Sequence, residues 1–188
     1  VALLVLVVTA PAFIFFSQKG PGAMHAPWLI SLAAGLVVGG LSQFSRLCTV
    51  GGFRDLFLFK KSILIFGYLA VLVGVFVVNI SFGNFHLGFE NQPIAHTDGL
   101  WNFLGMALAG FCSVLLGGCP LRQLIMTGEG NSDSAVTVLG LAAGAAFAHN
   151  FGLAASGAGP TLNGQIAVGI GFVVALIIAV LNTKRSNA

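Results

Sequence analysis

The chain has 188 residues, of which 57% are hydrophobic and 7% are charged, and its formal net charge is +3. A water-soluble surface normally needs about a quarter of its residues charged, so this composition excludes a soluble globular protein and predicts one embedded in a lipid bilayer. The 8 basic residues are scattered along the sequence, which excludes the basic patch that nucleic-acid binding requires.

Long apolar runs predict membrane-spanning helices, and at about 20 residues per crossing the chain has room for about six. The runs are near-continuously apolar, unlike the short alternating strands of a membrane barrel, so the predicted fold class is an all-α polytopic bundle. The predicted spans are 2–16, 28–46, 62–82, 101–117, 134–152 and 164–182. Residues 1–188 are predicted to form a single transmembrane domain. Because Val1 lies inside an apolar run without an initiating Met, we expect the chain to be part of a longer protein.

Two spans are followed by a break containing Cys and Gly and then by a short amphipathic stretch, which predicts short helices at 52–60 and 120–128. If each broken unit counts as one crossing, the basic residues can share the cytoplasmic side. These basic residues are Lys60, Lys61, Lys184 and Arg185. The loops at 17–27, 83–100 and 153–163 are then external, and 129–133 and the C-terminus are cytoplasmic. The alternative makes each break a re-entrant hairpin, which reverses some of these loops.

The two breaks belong to a predicted internal repeat at about 28–82 and 101–152. Cys48 recurs as Cys119 about 71 residues later, and Arg54 and Arg122 follow their cysteines in both copies. If each copy holds two crossings, the copies are parallel and related by an axis near the membrane normal. The G-x-x-x-G spacing within both copies is also common in ordinary helix packing, so the glycines alone leave the repeat open.

The second break has a clear physical logic. Gly117 and Gly118 can end a helix, Cys119 then falls at an N-cap position, and Pro120 suits the first turn of the next helix. Cys119 would therefore face the positive end of a short helix, where free backbone N–H groups attract anions. The alternative is a small buried cysteine beside a kink.

The first break places Cys48 just before another Gly-rich helix start at Gly51, with Arg46 and Arg54 on either side. An Arg at membrane depth costs at least about 2.5 kcal/mol, so such a residue normally faces protein or a wet cavity and has a partner. Two alternatives stay open: Arg46 extends to the membrane interface, or Arg54 pairs with Asp55 at the cytoplasmic rim.

Other polar residues in the spans are weaker candidates. His149 and Asn150 close span 134–152, whose small residues suit packing near a pore, although a transmembrane His often only bonds a neighbouring carbonyl. Cys112 is predicted to pack in a small-residue helix interface. The motifs C-x-x-C, G-x-x-x-x-G-K-[ST] and H-E-x-x-H do not occur, so the sequence predicts no redox, nucleotide or zinc-protease site and no cofactor.

Taken together, S-R-L-C-T-V-G-G-F-R-D at 45–55 and G-G-C-P-L-R-Q-L at 117–124, followed by G-E-G-N at 128–131, resemble the YeeE/YedE family of sulphur-compound membrane transporters, in particular its YedE branch associated with selenium metabolism. The resemblance covers about 28–182 and implies an all-helical hourglass whose short helices meet near the bilayer centre. It implies that Cys48 and Cys119 pass a thiosulfate-like ion along by S–H contacts. It also implies a cytoplasmic TusA/SirA-like sulphur-carrier protein as partner, and that the chain is a C-terminal half.

The sequence therefore predicts a bacterial inner-membrane permease, not an enzyme, for thiosulfate or a related sulphur or selenium anion. The predicted path residues are Arg46, Cys48, Gly51, Arg54, Gly118, Cys119, Arg122, His149 and Asn150. One alternative is a soft-metal transporter with Cys48, Cys119 and His149 as Cu(I)-type ligands, although the chain has only 3 Met. Another is a membrane enzyme or sensor in which a cysteine forms a persulfide as a covalent intermediate.

Overall fold

The computed structural model describes Val5, Thr9 and residues 26–88 and 96–186. Over these residues the regular structure is helical and contains no strand, which confirms the all-α prediction. The helices are α1 (Trp28–Ser45), α2 (Thr49–Phe59), α3 (Ile63–Ser81), α4 (Gly99–Leu115), α5 (Pro120–Gly128), α6 (Ser132–Asn150) and α7 (Leu162–Ser186).

Four stretches of the described chain are long and apolar enough to cross a membrane. They are Trp28–Phe59, Ile63–Ser81, Gly99–Gly128 and Leu162–Thr183. Each corresponds to one predicted span, and the first and third also contain a short helix. The predicted span 134–152 corresponds to helix α6, but it is not among the four because it is rich in Ala and Gly and carries Asp133 in its first turn. The predicted span 2–16 lies outside the described residues apart from Val5 and Thr9.

The chain divides into two compact units, 1–44 and 45–188. The first unit contains nearly all of α1. In the second unit, α2 packs against α3, α5 packs against α6, and α4 packs against α7. A contact between α2 and α4 joins the parts of the chain that hold the two breaks. In both predicted repeats the short helix thus packs on the helix that follows it. The internal repeat and the single transmembrane domain stay predictions.

The second unit buries small and polar side chains and exposes large apolar ones. Its buried residues are Cys48, Gly51, Gly52, Ser113, Gly118, Cys119, Gln123, Ser134 and Ala175. Lipid tails are as apolar as the exposed side chains, so a bilayer provides no drive to bury them, and helices in lipid associate through small residues and hydrogen bonds instead. The burial pattern therefore fits a multi-pass membrane protein.

Two glycines of α7 allow unusually close contacts. A Cβ atom on Gly164 would lie 2.5 Å from the carbonyl oxygen of Leu153, and a Cβ atom on Gly171 would lie 2.6 Å from Cδ2 of Leu108. The Leu108 side chain can adopt another rotamer and make room, whereas the Leu153 carbonyl belongs to the backbone and cannot move away as easily. Gly171 therefore brings α7 close to α4, and Gly164 brings α7 close to the loop that precedes it.

Replacing Gly164 by alanine is expected to destabilise the protein by about 1 to 3 kcal/mol, the usual cost of overpacking a close contact. Gly169 is a matched control on the same helix, because a Cβ atom there would meet no described atom within 4 Å. Gly169→Ala is expected to raise stability by up to about 1 kcal/mol, since alanine favours helix more than glycine does. Thermal unfolding of the detergent-solubilised protein measures both variants, and equal melting temperatures would contradict the close approach at Gly164.

Candidate functional site

Each short helix begins immediately after a cysteine. Cys48 is the N-cap of α2, with φ −152° and ψ 118°, and Cys119 is the N-cap of α5, with φ −70° and ψ 161°. Pro120 opens α5, where its missing N–H would have no helical partner anyway. The N-cap position predicted for Cys119 is confirmed, and both thiols lie at the positive end of a helix.

The backbone before each cysteine turns through a left-handed residue. At the second break this residue is Gly117, with φ 73°, a conformation that glycine adopts without steric cost. At the first break it is Arg46, with φ 51°. A residue with a Cβ atom seldom adopts this conformation, so Arg46 is an unusual feature of the first break.

The two thiols are neighbours in the folded chain, although about 71 residues separate them in sequence. The thiol of Cys119 contacts the side chain of Cys48, both the backbone and the side chain of Thr49, and the backbone of Arg122. Cys48 accepts a hydrogen bond from the backbone N–H of Gly51 at 3.3 Å. Arg122, whose backbone the Cys119 thiol contacts, follows its cysteine at the same distance as Gly51 follows Cys48.

A cavity of about 790 Å³ lies beside Cys48 and is lined by Arg46, Arg54 and Arg122, and we call it the arginine cavity. Gly51 also lines it, and a Cβ atom on Gly51 would lie 3.3 Å from the Cβ atom of Cys48. Five of the predicted path residues therefore line the arginine cavity, namely Arg46, Cys48, Gly51, Arg54 and Arg122.

Two further predicted path residues, Gly118 and Cys119, lie just outside the lining of the arginine cavity. Cys119 contacts Cys48 without being part of the cavity wall. A Cβ atom on Gly118 would lie 3.6 Å from the Cβ atom of Arg122, so Gly118 packs beside one of the lining arginines.

The arginine cavity carries a net positive charge. Arg54 forms an ion pair with Asp55, with Nη2 at 2.9 Å and Nε at 3.1 Å from Oδ1. The structure thus selects the Arg54–Asp55 pairing that the sequence left open. Among the described lining residues, three arginines face one carboxylate, which leaves a formal charge of +2. A lining with this charge attracts anions, and the low dielectric of the surrounding membrane strengthens the attraction.

His149 and Asn150 are not part of this arrangement. They end α6, and neither lines the arginine cavity, so their path role stays a prediction. Within the described ranges, no three His, Cys, Asp or Glu side chains come together, and His149 therefore does not join the two thiols in the set that a soft metal ion would need. Cys112 lines a separate apolar cavity of about 1020 Å³, and its predicted packing in a helix interface stays a prediction.

Two residues of the site do not stand out in the sequence. Thr49 is the first residue of α2 and contacts the thiol of Cys119. Gln123 is only 5% exposed, and its Nε2 donates a hydrogen bond to the carbonyl of Leu116 at 2.9 Å. The sequence feature that could have identified both residues is an uncharged polar side chain within one helical turn of a motif cysteine.

Because the thiols of Cys48 and Cys119 are neighbours, mild oxidation of membranes is expected to join them in a disulfide, which mass spectrometry of the linked peptides detects. Cys112 is the control, since it lines another cavity. The Cys112→Ala variant should give an unchanged yield of the linked peptides, and Cys119→Ala should give none. Preferential pairing of either thiol with Cys112 would contradict the observed arrangement.

Comparison with known proteins assigns the same region of the chain to one family. A sequence family described as sulphur transport matches residues 44–185. The thiosulfate transporter TsuA of Escherichia coli (strain K12) is 29% identical over 111 residues, which cover 57% of this chain and 30% of that protein. The chain therefore matches less than a third of the length of this relative. No solved structure matches the chain.

Proposed function

Because this chain belongs to the sulphur-transport family, as its two motifs predicted, we propose that it carries thiosulfate or a related sulphur anion into the cell. It is a multi-pass membrane protein of a transporter family and not an enzyme. One observation carries the proposal: two thiols at helix N-termini meet beside a cavity lined by three arginines.

The chemistry of the cavity matches the two ends of thiosulfate. The ion has a soft terminal sulphur and three hard oxygens, and it carries two negative charges. Guanidinium groups bind oxyanions through paired N–H donors, which suits Arg46 and Arg122 to the oxygen end. A thiol is a weak donor that suits the sulphur end. Cys48 lines the cavity while its sulphur accepts the N–H of Gly51, so we assign its thiol to the sulphur end of the ion. Sulfate has no soft end and loses this contact.

The second thiol supports stepwise passage. Cys119 lies directly against Cys48 but outside the cavity wall, so an anion that leaves the contact with Cys48 meets a second thiol at the next helix N-terminus. Each step exchanges one weak S–H contact for another, and neither thiol forms a covalent bond to the ion. A selenium analogue with a soft terminal atom fits the same contacts, and we include it in the proposed substrate class.

Uptake of a dianion into a negative cell interior costs about 4.6 kcal/mol per 100 mV, twice the cost of about 2.3 kcal/mol for one charge. The sequence contains no nucleotide-binding motif, so the proposed drive is consumption of the ion inside the cell or a co-transported proton. We propose the bacterial inner membrane as the location. The proposed consumer is a cytoplasmic sulphur-carrier protein of the TusA/SirA-like type.

Replacing either Cys48 or Cys119 by alanine is expected to lower thiosulfate uptake about tenfold or more, because a hydrogen bond to a charged group contributes about 1.5 to 3 kcal/mol. The intact gene is expressed in cells that lack their own sulfate and thiosulfate import. Labelled thiosulfate uptake is then measured and normalised to the amount of protein in the membrane. The matched control is Cys112→Ala, which should retain native uptake.

The same assay separates the alternatives. Native uptake by both Cys48→Ala and Cys119→Ala would remove the thiols from the mechanism. Growth that depends on a soft metal and not on thiosulfate would favour the metal transporter. A stable sulphur adduct on Cys119 would favour the persulfide-forming enzyme or sensor, since a permease makes only transient contacts. Competition by selenium oxyanions tests the wider substrate class.

The charge of the arginine cavity is expected to set the affinity for thiosulfate. Replacing Arg46 or Arg122 by glutamine should raise the KM for uptake about fivefold, which corresponds to about 1 kcal/mol of lost attraction. Asp55→Asn should lower the KM because it releases Arg54 from its ion pair. Asp133→Asn, in the first turn of α6 and outside the cavity lining, is the control. An unchanged KM in all three cavity variants would show that the arginine cavity does not bind the substrate.

A further inference from the structure

The carbonyl of Leu116 lies at the second break, where the backbone offers it no helical donor. In a continuous helix this carbonyl would accept the N–H of residue 120, but residue 120 is a proline and has none. The carbonyls of Cys112, Ser113 and Val114 accept backbone N–H groups at 2.9 to 3.1 Å. Because lipid cannot hydrogen-bond to backbone, the carbonyl of Leu116 needs a donor from a side chain.

Gln123 supplies that donor. Its Nε2 lies 2.9 Å from the Leu116 oxygen, and the side chain is buried. The backbone N–H of the same residue donates to the carbonyl of Cys119 at 3.1 Å and closes the first turn of α5. One residue thus bonds to the end of α4 through its side chain and to the start of α5 through its backbone. These two bonds fix where α5 begins relative to α4, and therefore where Cys119 lies.

The first break is held in a different way. There the thiol of Cys48 is itself tied to the N–H of Gly51 at 3.3 Å, and the N–H of Gly52 closes the first turn at 2.8 Å. Residue 52, which follows its cysteine at the same distance as Gln123 follows Cys119, has no side chain to reach backward. At the second break the thiol of Cys119 contacts the backbone of Arg122, which corresponds to Gly51, and the Gln123 side chain adds a bond back to α4 that the first break lacks.

We propose that Gln123 is a positioning residue, which holds Cys119 against Cys48 by replacing the N–H that Pro120 lacks. Gln123 acts through Cys119 and does not touch the transported ion. The inference rests on the proposed function, because the position of Cys119 matters for transfer of the anion between the two thiols. The contact itself is testable by thiol chemistry without transport.

The test uses two single-cysteine forms of the intact protein in membranes. One retains Cys119 and the other retains Cys48, with the other two cysteines of this chain replaced by alanine. Gln123→Met keeps the length of the side chain and removes the amide donor. Labelling of Cys119 by N-ethylmaleimide is expected to accelerate about tenfold, because the thiol leaves its buried position, while labelling of Cys48 stays within about twofold.

Thr127→Val is the matched control. The Thr127 hydroxyl donates to the backbone carbonyl of Gln123 at 2.8 Å, so this variant removes a side-chain donor from the same short helix without touching the break. Both labelling rates should remain at their native values. Uptake gives a second measure: Gln123→Met should lower the maximal rate of thiosulfate transport, and Thr127→Val should leave it at its native value.

Unchanged labelling of Cys119 in Gln123→Met would overturn the proposal. Equal acceleration at Cys48 and Cys119 would also overturn it, because it would mean a general loosening of the fold. If Gln123→Met does not accumulate in membranes, Gln123→Asn is measured in its place with the same expected difference, since its amide is one methylene too short to reach Leu116. A native protein that does not carry thiosulfate would defeat the proposed function, and the labelling rates would still decide the role of Gln123.

Discussion

Interrupting a helix inside a lipid bilayer leaves backbone N–H and C=O groups that water cannot satisfy, and the rest of this structure depends on how the chain provides for them. Two of the stretches that are long and apolar enough to cross a membrane are interrupted in this way, once before Thr49 and once before Pro120. Each break creates a helix N-terminus whose partial positive charge is poorly screened in an apolar surrounding. The thiols that cap these two termini meet, and the arginine cavity beside them adds a formal charge of +2.

The two breaks meet this constraint with different residues. The first turns through Arg46 and engages the thiol of Cys48 in a bond to its own helix. The second turns through Gly117 and secures the carbonyl that proline leaves without a donor by means of the Gln123 side chain. Cys119 is therefore held by residues of both breaks, by Cys48 and Thr49 of the first and by the backbone of Arg122 in the second. The two sulphur atoms are adjacent, as the proposed stepwise passage of an anion requires.

The sequence predicted those parts of the site that depend on neighbours along the chain. The start of α5 at Pro120 follows from local backbone chemistry, whereas α2 starts before the predicted residue 52 because Cys48 itself serves as the cap. Contacts between distant residues were not predictable in the same way. The bond from Gln123 reaches back seven residues across the break, where helical periodicity does not continue from one helix to the next. Likewise, His149 closes a helix of small residues, but helical periodicity does not say which cavity a helix end faces.

The absence of a side chain at Gly171 has a mechanical consequence. Leu108 of α4 occupies the space that a side chain of α7 would fill, so the two helices approach closely there. Any larger residue at position 171 would have to displace Leu108 or move the two helices apart. Because α4 continues from Leu108 to the second break, a wider spacing at this contact would also shift the backbone that leads into Cys119.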